Sequence, residues 1–365
     1  MNMKIKDILH FLEELAPLSY QESYDNSGLI TGDPEQEFIK GLICLDATEN
    51  VLEEAIQLGC NLIISHHPVL FHAIKQITNR TPTERILKKA IKHDITIYAM
   101  HTNLDNVHHG VNAAFSEKLQ LQNTKILKEK KQLLKKIITF TPIEHADNVR
   151  NALFDAGGGH IGKYDSCSYN TEGKGSFRAS NEAHPYVGKI GELHFENEIR
   201  IEMIFPAFKE QTMISALMSS HPYEEVAYDI YQLDNSHSLV GSGMIGELKN
   251  EMSETFCLNY IKEKMQLQLL QHSKLLNKTI KKVALCGGSG AFLIPEAVRQ
   301  QADIFITGEI GYHDFLTYSD DILLVAIGHY ESEIAIKHYL YQKLIKNFSN
   351  FASSKTEATS IFYLK

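Results

Sequence analysis

Apolar positions along the chain keep two rhythms. Ile5 to Leu15 repeats its apolar residues at helical spacing, and a polar turn follows at Tyr24-Asp25-Asn26-Ser27-Gly28-Leu29. From there, short apolar runs alternate with amphipathic stretches, the pattern of strands interleaved with helices. Gly41 to Leu45 reads as a strand, and Asp46-Ala47-Thr48 supplies capping side chains for a helix over Val51 to Leu58. Leu62 to Ser65 is the next strand. Pro82 to Lys92 is a helix carrying Pro82 and Glu84 in its first turn, where both are favoured. Ile95 to Met100 is a third strand, running into His101-Thr102-Asn103-Leu104-Asp105.

The same order returns far downstream. Lys282 to Cys286 is a strand followed by Gly287-Gly288-Ser289-Gly290, and Pro295 to Gln300 is a helix. Asp303 to Thr307 is a strand ending in Gly308-Glu309, and Asp321 to Ile327 is a strand ending in Gly328-His329. Gly59 to Ser65 and Gln301 to Thr307 occupy equivalent places, which reads as a degenerate internal duplication of a β-α-β-α-β unit. Chance likeness between two ordinary βαβ segments is the competing explanation.

Between the halves the rhythm changes. A charged entry at Lys128 to Gln132 leads to a strand at Leu134 to Thr141 and a helix at Ala146 to Ala156. Strand-like segments follow at His160 to Tyr169 and Lys189 to Phe205, with the polar stretch Gly173 to Pro185 read as a loop. A helix at Lys209 to Ser220 and a strand at Val226 to Gln232 complete a β-α-β-β-α-β order, that of a ferredoxin-like unit. The expected organisation is a discontinuous α/β domain, residues 1–127 and 237–365, interrupted by an inserted domain at 128–236.

Composition narrows the classes. At 365 residues and 43% hydrophobic, the chain is long enough for more than one core. A formal net charge of −9 argues against broad nucleic-acid affinity, which depends on neutralising phosphates with Lys and Arg. Cys44, Cys60, Cys167, Cys257 and Cys286 are scattered and odd in number, as in a reduced cytoplasmic protein without a thiolate zinc site. The first residues carry no signal-peptide pattern, and no apolar run is long enough to span a bilayer.

The candidate chemistry lies just past strand ends. Asn61 to Pro68 is an apolar run closing in Ser65-His66-His67-Pro68, and strand ends of a parallel sheet are where α/β folds place ligands. The first half offers His66, His67, His101 and Asp105, and the second offers Glu309, His313, His329 and Glu333. Tyr330 to Phe348 has helical spacing, so His329 and Glu333 fall on one face if His329 lies in or beside its first turn. Three histidines (His66, His67, His329) with Asp105 and Glu333 form a mixed nitrogen and oxygen donor set. It suits Zn, Mn, Fe, Co or Ni better than Ca or Mg. Five donors exceed the need of one four-coordinate zinc; two divalent metal ions bridged by a carboxylate would use them all.

These residues carry a resemblance. In order, Tyr24 to Leu29, Ser65-His66-His67-Pro68, His101 to Asp105, Thr307-Gly308-Glu309 and Gly328-His329-Tyr330-Glu331-Ser332-Glu333 resemble the Nif-three-like family, also called GTP cyclohydrolase 1 type 2 homologues. The insert, with His221-Pro222-Tyr223-Glu224-Glu225, resembles the CutA/PII-like domain of the YqfO subgroup. The resemblance covers nearly the whole chain. It implies an α/β fold with two metals at the inner wall of a toroidal homohexamer, their ligands falling on His66, His67, Asp105, His329 and Glu333. It also implies that some members open the guanine ring of GTP. The chain departs from the usual pattern at Tyr24, where tryptophan is common, and at Ile310-Gly311-Tyr312-His313, with one histidine where a pair is frequent.

Competing readings stand beside these. Asp105 could instead cap a helix over Asn106 to Phe115. His101 is either an outer support or a general acid/base beside the metals. Glu309 and His313 either support ligands, carry protons or serve structure alone. His108-His109 reads as a hydrated turn, and the glycine-rich turn at Gly287 as a tight connection or a phosphate cradle. The expected function is a metal-dependent hydrolase, with metal-activated water attacking a nucleotide or related substrate. The alternative is a metal-handling or regulatory protein whose insert binds an effector or partner.

Overall fold

The computed structural model describes residues 3–356. The chain separates into two compact units, Met1–Glu129 with Leu239–Lys365 and Lys130–Ser238.

The first unit holds two sheets. In the first sheet, β2 (Gly41–Asp46), β3 (Leu62–His67) and β4 (Thr96–Ala99) run parallel, and β1 (Gly28–Thr31) pairs antiparallel with β4. Nearly every residue of β2, β3 and β4 is buried, which explains their unbroken apolar runs: helices cover both faces, so no alternation is needed. The helix Pro82–Lys92 shows how such a cover forms. Thr81 accepts from Glu84 N at its start, and Ile86, Leu87 and Ala90 turn inward. Leu42, Ile63 and Ile97 in the core beneath are fully buried, each worth about 1.5–3 kcal/mol on the transfer scale.

The second sheet repeats the plan. Strands β12 (Thr279–Cys286), β13 (Ile304–Thr307) and β14 (Leu323–Ala326) run parallel, and β11 (Gln271–His272) lies antiparallel against β14 as β1 does against β4. Two long strands, β10 (Ser236–Ser253) and β5 (Gln122–Lys131), extend this sheet beyond β12. The short β15 (Phe351–Ser353) pairs in parallel with β2, so the chain returns to the first sheet near its end.

The second unit is a four-stranded antiparallel sheet. Strands β6 (Leu134–Pro142), β7 (Tyr169–Arg178), β8 (Leu193–Pro206) and β9 (Tyr228–Leu233) lie in the order β7-β8-β6-β9, with helices at Ala146–Asp155 and Glu210–Ser220. That is the ferredoxin-like order. Ile137, Val149, Leu153, Ile201, Met213 and Leu217 form its core.

Four local expectations change. Gly173 to Pro185 is not all loop, and His160 to Tyr169 is not a strand: β7 covers Tyr169–Arg178 and pairs with β8 over its whole length. Its residues are mostly exposed, so ladder hydrogen bonds hold it and apolar periodicity does not mark it. No helix spans Asn106 to Phe115. A short helix covers Thr102–Asp105 and another Val111–Lys118, separated at Gly110, whose missing side chain lets Leu104 O approach. Asp105 therefore closes a helical turn and does not cap the helix after it. The segment from Tyr330 to Phe348 divides into His329–Glu333 and Ala335–Asn347.

Candidate metal centre

The ends of β3, β4, β13 and β14 deliver the donors. His66 and His67 close β3, His101 follows β4, Glu309 follows β13, and His329 follows β14 at the start of a helical turn. In that turn His329 and Glu333 share a face, with His329 Nε2 3.3 Å from Glu333 Oε2. His67 Nε2 lies 3.1 Å from the same oxygen. His66 Nε2 lies 3.9 Å from Glu333 Oε1 and 3.7 Å from Asp105 Oδ1.

Among the described residues, two triads of donor atoms are compact enough for a cation: His66, His67 and His101, and His67, His329 and Glu333, with all atoms of a triad within 4.8 Å of one another. His101, expected either behind the ligands or as a proton carrier, thus stands beside His66 and His67. Among the described residues, buried His66 Nε2 and Asp105 Oδ1 have no hydrogen-bond partner.

Each imidazole is held from behind. His66 Nδ1 donates to Met100 O at 2.7 Å, His67 Nδ1 to Asp46 Oδ1 at 2.8 Å, and His101 Nδ1 to Asp25 Oδ1 at 2.7 Å. His329 Nδ1 donates to Glu309 Oε1 at 3.1 Å, and Glu309 Oε2 accepts from Ser289 Oγ at 2.6 Å. An oxygen on Nδ1 fixes the tautomer and leaves the Nε2 lone pair facing the shared centre, the arrangement of metal-binding histidines.

The charges answer to this crowding. Burial would raise the Glu333 carboxyl, but the imidazoles of His329, His66 and His67 crowded around it hold it well below the carboxylate range. Burial and the Glu333 charge push Asp105 up, to about 7. Burial opposes the charging of His67, yet Asp46 and Glu333 raise it to about 10. The Glu333 carboxylate, 3.3 Å away, is the main cause that lifts His329 to about 9. Glu309 is lowered, chiefly by the Ser289 hydroxyl, and stays ionised.

A cavity of about 240 Å³ opens onto the cluster, lined by Asp105, His329 and Glu333 with Tyr24, Phe292 and the backbone of Gly287 to Ser289 among others. Tyr24 and Phe292 are largely exposed at its edge. The glycine-rich turn serves the carboxylate: a Cβ on Gly288 would come within 2.3 Å of Glu333 Oε1.

His313 is the expected residue that the structure does not bring in. It is exposed on the helix Tyr312–Tyr318, with its ring 5.4 Å from that of Tyr312. His109 is not simply hydrated, since its Nε2 meets Leu15 O at 3.2 Å. Asp46 and Asp25 were missed as supports. Asp46 is the register partner of His67 across β2 and β3, a relationship that the pairing of two apolar runs would have exposed.

Fold and cluster together define a discontinuous α/β protein with a histidine–carboxylate site at its strand ends. The chain belongs to the Duf34/NIF3 (NGG1p interacting factor 3) family, whose model matches residues 3–361. It is 35% identical to a Bacillus subtilis protein named GTP cyclohydrolase 1 type 2 homolog, over 98% of this chain and 95% of that one. A Halalkalibacterium halodurans protein of the same name is 37% identical, over 93% and 91%. The crystal structure of a Bacillus cereus protein related to NIF3 superposes with a TM-score of 0.87 at 35% identity, covering 100% of both chains. No helix among the described residues is long and apolar enough to cross a membrane.

Proposed function

We propose that the cluster binds two divalent cations, zinc ahead of manganese, iron, cobalt or nickel, and that the protein is a metal-dependent hydrolase acting on a nucleotide or related heterocycle. One observation carries the reading: four imidazoles, each backed at Nδ1 by an oxygen, turn Nε2 towards one another around a buried carboxylate. Neutral imidazole and carboxylate suit these metals. Each imidazole has one free Nε2 lone pair, so His67, His329 and Glu333 would hold one cation, and His66 and His101 the other, with Asp105 reaching that second one through its unpartnered oxygen. Such cations supply Lewis acidity and a hydrolytic nucleophile near neutral pH.

The chain's own residues do the rest. Asp46, Asp25 and Glu309 fix the ring orientations, so the donors need no rearrangement. Glu309, ionised beside the solvent-facing Ser289, is placed to accept a proton at Oε2. Tyr24 and Phe292 offer flat faces at the cavity edge for a heteroaromatic ring. The name of these relatives suggests GTP as the first substrate to try. A homohexamer is part of the same proposal.

The test joins elemental analysis and anomalous scattering with turnover. Expected are two metal peaks among the named donors, about two equivalents of metal per chain, and ring opening of GTP or another nucleotide that His67→Ala abolishes. Metal-loaded protein that converts no member of a nucleotide panel overturns the hydrolase. Empty density after soaking in zinc and manganese overturns the metal centre. Light scattering at the mass of a single chain overturns the hexamer.

A further inference from the structure

A cavity of about 660 Å³ lies within the inserted unit, in the range of pockets that hold small organic ligands. Its walls are aromatic. Phe177 and Tyr186 lean on Tyr223, with ring centroids 6.1 and 6.3 Å apart and tilts of 59° and 47°, and Phe140 adds a further face. The segment His221 to Glu225 builds one wall. His221 Nε2 donates to Phe140 O at 2.9 Å while its Nδ1 accepts from Tyr223 N at 3.1 Å, which holds the backbone at Tyr223.

A single carboxylate is set among these rings. Glu198 is only 9% exposed, and its Oε1 accepts from Tyr223 Oη at 2.9 Å. A carboxylate offers about four lone-pair positions, so one hydroxyl leaves it with acceptor capacity. Glu198 stands opposite Gly173 in the β7–β8 ladder, and Gly175 leaves open the space over its other oxygen: a Cβ there would lie 2.2 Å from Oε2. Gly175 does not sit at positive φ, so the backbone does not demand glycine. The glycine makes room.

The charges select further. Glu172, Glu224 and Glu225 join Glu198 around the cavity, against Lys174 and Arg200. Both cations are engaged: Lys174 Nζ lies 5.1 Å over the Phe195 ring, and Arg200 pairs with Glu202 at 2.9 Å. An anion is disfavoured, and a flat molecule with hydrogen-bond donors is favoured.

We propose that this cavity is a second ligand site, for an aromatic or heteroaromatic molecule that presents an amidine-type N–C–N donor edge to Glu198 while its ring packs against Phe177, Tyr186 and Tyr223. Paired N–H donors match a carboxylate bidentately, and the aromatic walls hold the ring. The edge can be cationic, as in an aryl amidine, or neutral, as in a 2-amino-oxo purine. The proposal stands apart from the metal centre and survives its failure.

Calorimetric titration of the full chain tests it. Benzamidine carries the cationic edge and guanosine the neutral one; benzamide and inosine lack the second donor. At least one of the first pair binds, and its matched control binds about tenfold or more weaker. Glu198→Gln, which keeps an acceptor for Tyr223, weakens that binding about ten- to a hundredfold. Gly175→Val, on an exposed edge strand, does the same by filling the space. His67→Ala leaves it unchanged. Binding of benzamidine alone assigns a cationic ligand, and binding of guanosine alone a neutral one. The proposal is overturned if neither binds at millimolar concentration or if the controls bind equally. It is equally overturned if neither cavity variant weakens binding while circular dichroism shows them folded, or if only His67→Ala abolishes it.

Discussion

Asp46 and His67 are register partners on adjacent parallel strands, and Asp46 Oδ1 accepts from His67 Nδ1 at 2.8 Å. The pairing follows from sheet geometry: β2 and β3 end together, so the last side chain of each meets the other at the carboxyl edge. It makes Asp46 the residue that aims His67 Nε2 at both donor triads. Asp46→Ala is expected to weaken metal binding about 10–100-fold, the usual cost of removing such a support. Asp46→Asn keeps an oxygen acceptor and is expected to lose less. Competition against a chelator of known affinity measures both. Equal affinity in Asp46→Ala and the wild type would remove Asp46 from the site.

Gly288 separates strain from crowding. Its φ of +63° already favours glycine, and a Cβ would press to 2.3 Å from Glu333 Oε1 and 3.3 Å from His329 Nε2. Gly59, with φ +68°, would meet nothing within 4 Å. Gly288→Ala and Gly59→Ala are both expected to lose about 1 kcal/mol of stability through the backbone. Only Gly288→Ala should also lose metal. Denaturant melts of the metal-free protein and metal titrations check the two effects separately.

Metal binding should release protons. Without a cation, His67 is raised to about 10 and His329 to about 9, so both carry a proton at neutral pH. A metal needs the Nε2 lone pairs and must displace those protons. Affinity is therefore expected to climb with pH below about 9, by roughly tenfold per unit for each proton displaced, and to flatten above 10. Asp105, raised to about 7, adds a third proton below that pH, so the slope should be steepest there and approach two log units per pH unit between about pH 7 and 8. Calorimetry in buffers of different ionisation enthalpy counts the protons directly, and a count of zero would contradict the arrangement around Glu333.

Much of this cluster was legible because its histidines close or follow buried strands. His66, His67 and His329 follow unbroken apolar runs, and the spacing of His329 and Glu333 becomes a shared helical face once the turn begins at His329. What stayed hidden depended on pairing. The edge strand β7 is exposed and charged, so its place rests on hydrogen bonds to β8 that leave no mark in the residue pattern. Asp25 and Asp46 act only across distance in sequence, 76 and 21 residues from the imidazoles they hold. His313 shows the reverse failure. It follows a strand end as Glu309 does, but the helix Tyr312–Tyr318 leaves it exposed and outside both donor triads.

The return of the chain to the first sheet was equally invisible, because β15 is only three residues long. Its register continues in a single side chain. Glu54, on the helix Glu49–Gln57, accepts from Ser354 Oγ at 2.7 Å, Lys355 N at 2.9 Å and Thr356 N at 3.1 Å, while Ser354 N donates to Ile43 O at 2.8 Å. Burial would raise the Glu54 carboxyl, but these hydrogen bonds lower it from 4.5 to about 2. A depressed carboxyl stabilises the fold fully above its ordinary value and progressively less as pH falls through the depressed one. The anchor should therefore hold above about pH 4.5 and release between there and pH 2. Hydrogen exchange of peptides covering 351–356, corrected for intrinsic rate, should show protection fading across that window. Glu54→Ala should show the same loss already at neutral pH while the protection of β3 is unchanged. Protection of 351–356 that is independent of both pH and Glu54 would show that strand pairing alone holds the segment.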